Sequence, residues 1–235
     1  MGQPGWVRTP GGRLLGRRRE RPLRPSLRVL LEEELPRRSL KLPMAPQPLD
    51  VTSLFPGKKA VWLEIGFGGG EHLAAQAAAH PDIGFIGVEV FRNGIATLLR
   101  ALREQGSDNV RILRADARLL LPLLPQASLD RVFLLFPDPW PKSRHHKRRF
   151  IQPETLDQLA AAMRDGAEFR LASDDPSQVS WMLRHLLARP EFVWLAEGAQ
   201  DWRQRPPDWP GTRYEAKALA QGRTPVFLNF RRRAR

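Results

Sequence analysis

The chain predicts an α/β fold with a mostly parallel sheet covered by helices on both faces, and three observations predict it. Short apolar segments alternate with helical ones from Ala60 onward, the pattern of βα units. Leu129–Phe136 (LDRVFLLF) is apolar along most of its length, as a strand buried on both faces must be. A glycine-rich turn joins the first strand to the first helix of the alternation, where open parallel sheets approach their ligands.

Each element follows from local chemistry. Ala60–Ile65 (AVWLEI) reads as the first strand, and Glu71–His80, rich in Ala, as the helix after the glycine turn. Phe85–Val90 and Asn93–Gln105 form the next strand and helix, followed by strands at Val110–Ala115 and Leu129–Phe136. Pro153 opens a helix reaching Arg164, because proline is tolerated in the first turn. Glu168–Ser173, Phe192–Glu197 and Val226–Phe230 are the last strands, with a helix over Pro176–Ala188.

The ends of the chain differ in character. Met1–Arg28 holds eight Arg and one Glu, so this arm carries much of the formal +13. Residues 1–13 read as a disordered tail. Residues 14–56 are a basic extension with a Pro-rich connector (Pro36, Pro43, Pro46, Pro48, Pro56), and 57–235 form the main domain. From Leu14 the arm leads into a helical pattern at Leu27, Leu30, Leu31 and Leu35, which could dock on the body or on RNA. The basic excess favours a polyanionic partner. With no cysteine, the chain has no disulfide, no thiolate zinc site and no thiol nucleophile. It has no run near the roughly 20 apolar residues of a membrane span, nor an export signal, so a cytoplasmic location and no membrane association are expected.

An acidic residue stands at the end of each of the first five strands: Glu64, Glu89, Asp116, Asp138 and Asp174. Any one alone would be a helix cap or a solvated loop residue. Five together would line a crevice with negative charge, suited to a cationic cofactor and to a base bearing amino donors. The turn Gly66-Phe67-Gly68-Gly69-Gly70 fails the dinucleotide fingerprint G-x-G-x-x-G, because Glu71 fills its last position. Gly66, Gly68 and Gly70 instead let bare backbone approach a ligand. Glu89, 19 residues past Gly70, is placed to hold ribose hydroxyls, and Asp116 to accept from an adenine amino group. The next helix starts Glu-His rather than with a phosphate-binding Lys-Ser or Lys-Thr. A cofactor with ribose, adenine and a sulfonium but no pyrophosphate fits these residues: S-adenosylmethionine, leaving S-adenosylhomocysteine.

The segment Lys142–Arg149 holds five Lys or Arg and two His in eight residues. Beside Asp138 it is suited to backbone phosphates, with binding that weakens as salt rises. His145 and His146 have no companion at metal-ligand spacing, so no metal is expected. Trp140, between two prolines, is either core or the wall of a pocket for a flipped base.

LEIGFGGG (63–70), GVEV (87–90), RADA (114–117), FPDPWPKSRHHKRR (136–149), ASDD (172–175) and TRYE (212–215) resemble, in order and spacing, the bacterial tRNA (guanine-N7)-methyltransferase family, from about Leu14 to the C-terminus. The resemblance implies a seven-stranded Rossmann-like class I methyltransferase sheet with its last strand antiparallel. It implies cofactor contacts at Glu64, Glu89, Asp116 and Asp138, with Asp138 also catalytic. It further implies tRNA or target-base contacts at Lys142, Asp174, Thr212, Arg213, Tyr214 and Glu215, and RNA contact along Arg144, His145, His146, Lys147, Arg148 and Arg149. The implied target is the variable-loop guanine, position 46. Family members usually carry Lys and Phe where this chain has Arg213 and Tyr214, which alters donor geometry but not charge. His146 stands where Asn is frequent.

The chemistry expected is direct in-line displacement, since guanine N7 already presents a lone pair. Pyrimidine C5 methylation would need the thiol this chain lacks. The alternatives are a methyltransferase of the same fold acting on another RNA base or a small amine, and an RNA-binding protein with a vestigial crevice. Nothing in the sequence calls for an obligate protein partner.

Overall fold

The structure is a computed structural model that describes residues 22–43 and 47–235; the expected tail over 1–13 lies outside the described residues. Seven strands hydrogen-bond in the order β3-β2-β1-β4-β5-β7-β6. The chain divides into two compact units, one ending at Leu124 and the other starting at Pro125.

In the first unit, α1 (Pro25–Glu33) and α2 (Leu35–Arg38) come from the basic extension, and α3 (Val51–Leu54) from the end of the connector. They precede β1 (Ala60–Ile65), α4 (Glu71–Ala79), β2 (Ile83–Val88), α5 (Arg92–Gln105) and β3 (Val110–Leu113). β1 pairs in parallel with β2, and β2 with β3. Leu63, Ile86 and Ile112 are buried, as the paired apolar faces of a covered sheet require. Pro25 opens α1, whose Leu30 and Leu31 are buried where it packs against α5, with Glu33 and Arg103 3.6 Å apart. Beyond α2, Leu40 N donates to Ile112 O along β3. The helical part of the extension therefore docks on its own unit.

The second unit runs β4 (Leu129–Leu135), α6 (Pro153–Ala162), β5 (Met163–Ser173), α7 (Pro176–Leu187), β6 (Phe192–Trp194), α8 (Gln200–Arg203), α9 (Arg213–Ala220) and β7 (Val226–Arg232). β4 and β5 are parallel, whereas β7 lies antiparallel between β5 and β6.

Several boundaries differ from the sequence expectation: β3 stops at Leu113 rather than Ala115, α6 at Ala162 rather than Arg164, and β7 runs on to Arg232 rather than stopping at Phe230. β2 starts at Ile83 and stops at Val88, so Glu89 lies one residue beyond it. Glu89 N still donates to Leu113 O at 3.1 Å, while its carboxylate accepts from the Val90 and Phe91 amides and turns the chain away from β3. β5 begins at Met163, straight from the end of α6, five residues before its expected start at Glu168. β6 stops at Trp194 instead of running to Glu197.

Candidate active site

The carboxyl end of β1 carries the glycine turn. Gly66, Gly68 and Gly70 all have positive φ (69°, 56° and 78°), a region that glycine enters without steric cost. A Cβ on Gly66 would meet nothing within 4 Å, so open space lies beside this stretch of backbone. The Glu89 side chain organises the turn. Its Oε2 accepts from Gly68 N at 2.7 Å, and its Oε1 from Val90 N at 2.7 Å and Phe91 N at 2.8 Å. Three amide donors to one carboxylate fix its position and orientation beside the turn. Asp116 N-caps a short 3-10 turn by accepting from Arg118 N at 2.9 Å, and the Arg118 guanidinium lies 3.1 Å from its Oδ2.

Glu64 sits apart from that pattern. Its Oε2 lies 2.7 Å from His72 Nδ1 in the first turn of α4, and both side chains are buried. Gly94, missed by the sequence reading, lies in the first turn of α5, and a Cβ there would stand 1.8 Å from the Gly68 carbonyl oxygen. An isolated glycine within a helical pattern was the available signal. The bare backbone at Gly66, the fixed carboxylate of Glu89 and the buried Asp116 suit a ribose and an adenine without a pyrophosphate.

In the second unit, the 136–149 and 172–175 segments meet at the carboxyl end of β5, and the loop ahead of α9 packs there through Trp209. Phe136 N donates to Ala172 O at 2.8 Å, which ties the start of the 136–149 segment to the end of β5. Trp209, ahead of α9, packs into a buried cluster with Ala172 and Phe227, against Leu135 and Phe136. Arg170 lies over the Trp209 ring and bonds Glu168 and Asp208, which holds this loop down.

Asp138 is exposed, on a turn bounded by Phe136 (φ 51°) and Trp140 (φ 45°). Two left-handed non-glycine residues within five positions mark a strained loop. Trp140 is half-buried. Arg148 lies 4.9 Å above its ring and His145 meets its edge at 5.8 Å. Residues Ser143–Arg148 form a 3-10 helix, which brings these side chains back over the tryptophan. Lys142, Arg144 and Lys147 are exposed, whereas His145, His146 and Arg148 are half-buried. Arg149 is buried, at 2% exposure.

The other carboxylates are held by arginines that sequence reasoning missed. Asp174 pairs with Arg223 at 2.9 Å, and Glu215 with Arg205 at 3.0 Å. Thr212 N-caps α9 by accepting from Glu215 N at 3.2 Å. The spacing Thr-x-x-Glu is a capping signature, so the helix was legible in the motif. Arg213 and Tyr214 are exposed in its first turn.

Partial burial, then the cations Arg148, Arg144, Lys142 and Lys147, hold the His145 imidazole below its ordinary value of 6.5. Its NMR titration midpoint is therefore expected below 6.5, rising when Arg144 and Lys147 are changed to Gln. A bound polyanion would raise it too, so RNA affinity should increase as pH falls from about 7 to about 6. A midpoint above 6.5 in the free protein would overturn this account.

Among the described residues, no group of three or more His, Asp or Glu could hold a metal ion, and no helix is long and apolar enough to cross a membrane. A family model described as a putative methyltransferase matches residues 58–228. The tRNA (guanine-N(7)-)-methyltransferase of Rhodospirillum rubrum is 53% identical, covering 97% of this chain and 90% of its own length. That of Ruegeria pomeroyi is 48% identical, covering 95% of each. Among solved structures, the 16S rRNA methyltransferase KamB has a TM-score of 0.52 at 16% identity, covering 83% of this chain and 99% of its own. At that identity the likeness bears on the fold alone. The glycine turn, the acidic residues, the 136–149 segment and the extent of these matches agree: the chain belongs to the tRNA (guanine-N(7)-)-methyltransferase family.

Proposed function

We propose that this chain transfers a methyl group from S-adenosylmethionine to N7 of the variable-loop guanine, position 46, of tRNA. The observation that carries the reading is 53% identity, over 97% of the chain, to a curated tRNA (guanine-N(7)-)-methyltransferase. The first unit supports it with a fixed carboxylate, Glu89, beside a bare glycine turn for the ribose, and with Asp116 for the adenine. The second supports it with Asp138, Asp174 and a run of exposed cations. S-adenosylmethionine supplies an electrophilic methyl on sulfonium, and the sulfur departs with the electron pair as S-adenosylhomocysteine.

The protein's share of the chemistry is small in kind and large in effect. Guanine N7 offers its lone pair without deprotonation, so no side chain need act as a base at that atom. The N7–methyl bond forms as the sulfur–methyl bond breaks, and the base acquires positive charge. Asp138 and Asp174 accept from the guanine N1 and amino hydrogens, orient the ring and stabilise that charge. Asp174 exchanges part of its pairing with Arg223 to do so. Orientation alone is worth about 7–11 kcal/mol when the reacting atoms are held in line. Lys142, Arg144, Lys147 and Arg148 bind phosphates, with His145, His146, Thr212, Arg213, Tyr214 and Glu215 completing the RNA contact. The protein works where tRNA is, in the cytoplasm.

The test is methyl transfer from labelled S-adenosylmethionine to unmodified tRNA, with the product mapped after nuclease digestion. The expected result is 7-methylguanosine at one variable-loop guanine. Label on another base would keep the cofactor and reject the substrate. No label, with tRNA still bound, would favour a vestigial RNA-binding protein.

A further inference from the structure

Arg149 closes a run of basic residues that together suit RNA phosphates, yet its geometry is unlike that of its neighbours. Lys142, Arg144 and Lys147 are exposed, whereas Arg149 is 2% exposed. Its Nε donates to Pro139 O at 2.8 Å, Nη1 to Ser177 O at 3.3 Å and Nη2 to Ser177 Oγ at 2.7 Å. The guanidinium also lies 5.0 Å from the Trp181 ring centroid, and Trp181 is itself fixed by its Nε1 donating to Ile151 O at 2.7 Å. One planar fork thus joins the turn that carries Asp138 to the first turn of α7.

We propose that Arg149 is a positioning residue for Asp138 and not a phosphate contact, an inference that rests on the guanine-methylating reading above. Pro139 lies between Asp138 and Trp140, inside the stretch bounded by the left-handed residues Phe136 and Trp140. A strained turn persists only where its surroundings over-determine it. The Phe136 amide fixes one side of this turn on β5, and the Arg149 fork fixes the other on α7. A carboxylate that orients a base for in-line transfer tolerates little displacement, since about 1 Å of misplacement can cost about a hundredfold in rate. Lysine has the charge of Arg149 but not the fork, so it separates the two roles.

The experiment compares the full-length chain with Arg149→Lys, Arg149→Ala and Ser177→Ala, using Arg144→Gln/Lys147→Gln as the phosphate-contact reference. Turnover and KM are measured on unmodified tRNA, tRNA affinity is followed across salt concentration, and hydrogen exchange is read over 136–143. Arg149→Lys is expected to lower kcat by about a hundredfold, with tRNA Kd within about twofold and the salt slope unchanged. Ser177→Ala should lower kcat by a few fold in the same way. Both should raise hydrogen exchange across 136–143, a readout that does not depend on turnover. The reference pair should instead weaken binding and flatten the salt slope by up to about two. Near-normal kcat in Arg149→Lys, or a flattened slope in either single variant, would overturn the proposal. So would unchanged exchange over 136–143. If Arg149→Ala does not fold, Arg149→Lys and Ser177→Ala decide the matter. A wild-type protein that yields no 7-methylguanosine would reject the functional reading, while the exchange data still report on the fork.

Discussion

Asp138→Ala is expected to lower turnover by about 10²–10³-fold while tRNA affinity stays within about twofold. The carboxylate is exposed, so its removal should change stability by no more than about 0.5 kcal/mol. It lies between two fixed points. Phe136 is bonded to Ala172 O on β5, and the Pro139 carbonyl is held by Arg149. Pro137 and Pro139, which flank it, further restrict the backbone. Preorganised charge of this kind acts on the cation that develops at the base and does little for ground-state binding, which phosphate contacts dominate. Removing a negative charge beside Lys142–Arg149 should, if anything, slightly favour the polyanion. Asp138→Asn keeps an acceptor without the charge and should fall between the two. Single-turnover rates at saturating S-adenosylmethionine, with filter binding of tRNA, measure both quantities. A wild-type rate in Asp138→Ala would remove Asp138 from the chemistry.

Gly94→Ala is expected to destabilise the fold by about 3 kcal/mol and to weaken S-adenosylmethionine binding by about a hundredfold or more. Helix propensity alone points the other way, because Ala is favoured over Gly in a helix by about 1 kcal/mol. The contact decides the sign. A Cβ at position 94 would lie 1.8 Å from Gly68 O and 2.8 Å from Gly68 C, and backbone cannot rotate away as a side chain can. Either α5 or the glycine turn must shift, and Gly68 N is the donor to Glu89 Oε2. Gly57→Ala is the informative comparison. Gly57 has positive φ (74°), unlike Gly94, but nothing within 4 Å of its Cβ position, so the change there should cost only about 1–2 kcal/mol and spare cofactor binding. Thermal unfolding and calorimetric titration separate the outcomes. Normal cofactor affinity in Gly94→Ala would show that the turn can yield without loss.

The elements most legible in the sequence were those whose pattern is local. β1 begins and ends where AVWLEI predicts, and α4, α5 and α7 begin within a residue of expectation. Their apolar residues, glycines and prolines act on neighbouring backbone, so the signal survives without tertiary context. The positions of Glu64, Glu89, Asp116, Asp138 and Asp174 at or just past strand ends were legible for the same reason.

What those side chains touch was not. Glu64 meets His72, Asp174 meets Arg223, Glu215 meets Arg205 and Arg149 meets Ser177, all through contacts between separate elements. A run of cations looks uniform along the chain, yet a 3-10 turn directs Arg148 over Trp140 while Arg149 is buried under α7. By itself, then, the sequence determined the order of strands and helices, the glycine turn and the chemical inventory, because backbone propensity and hydrophobic period are properties of adjacent residues. The tertiary structure alone decided which charge meets which partner and which glycine has no room for a methyl group. Burial and hydrogen bonding at those positions depend on residues brought close only by folding.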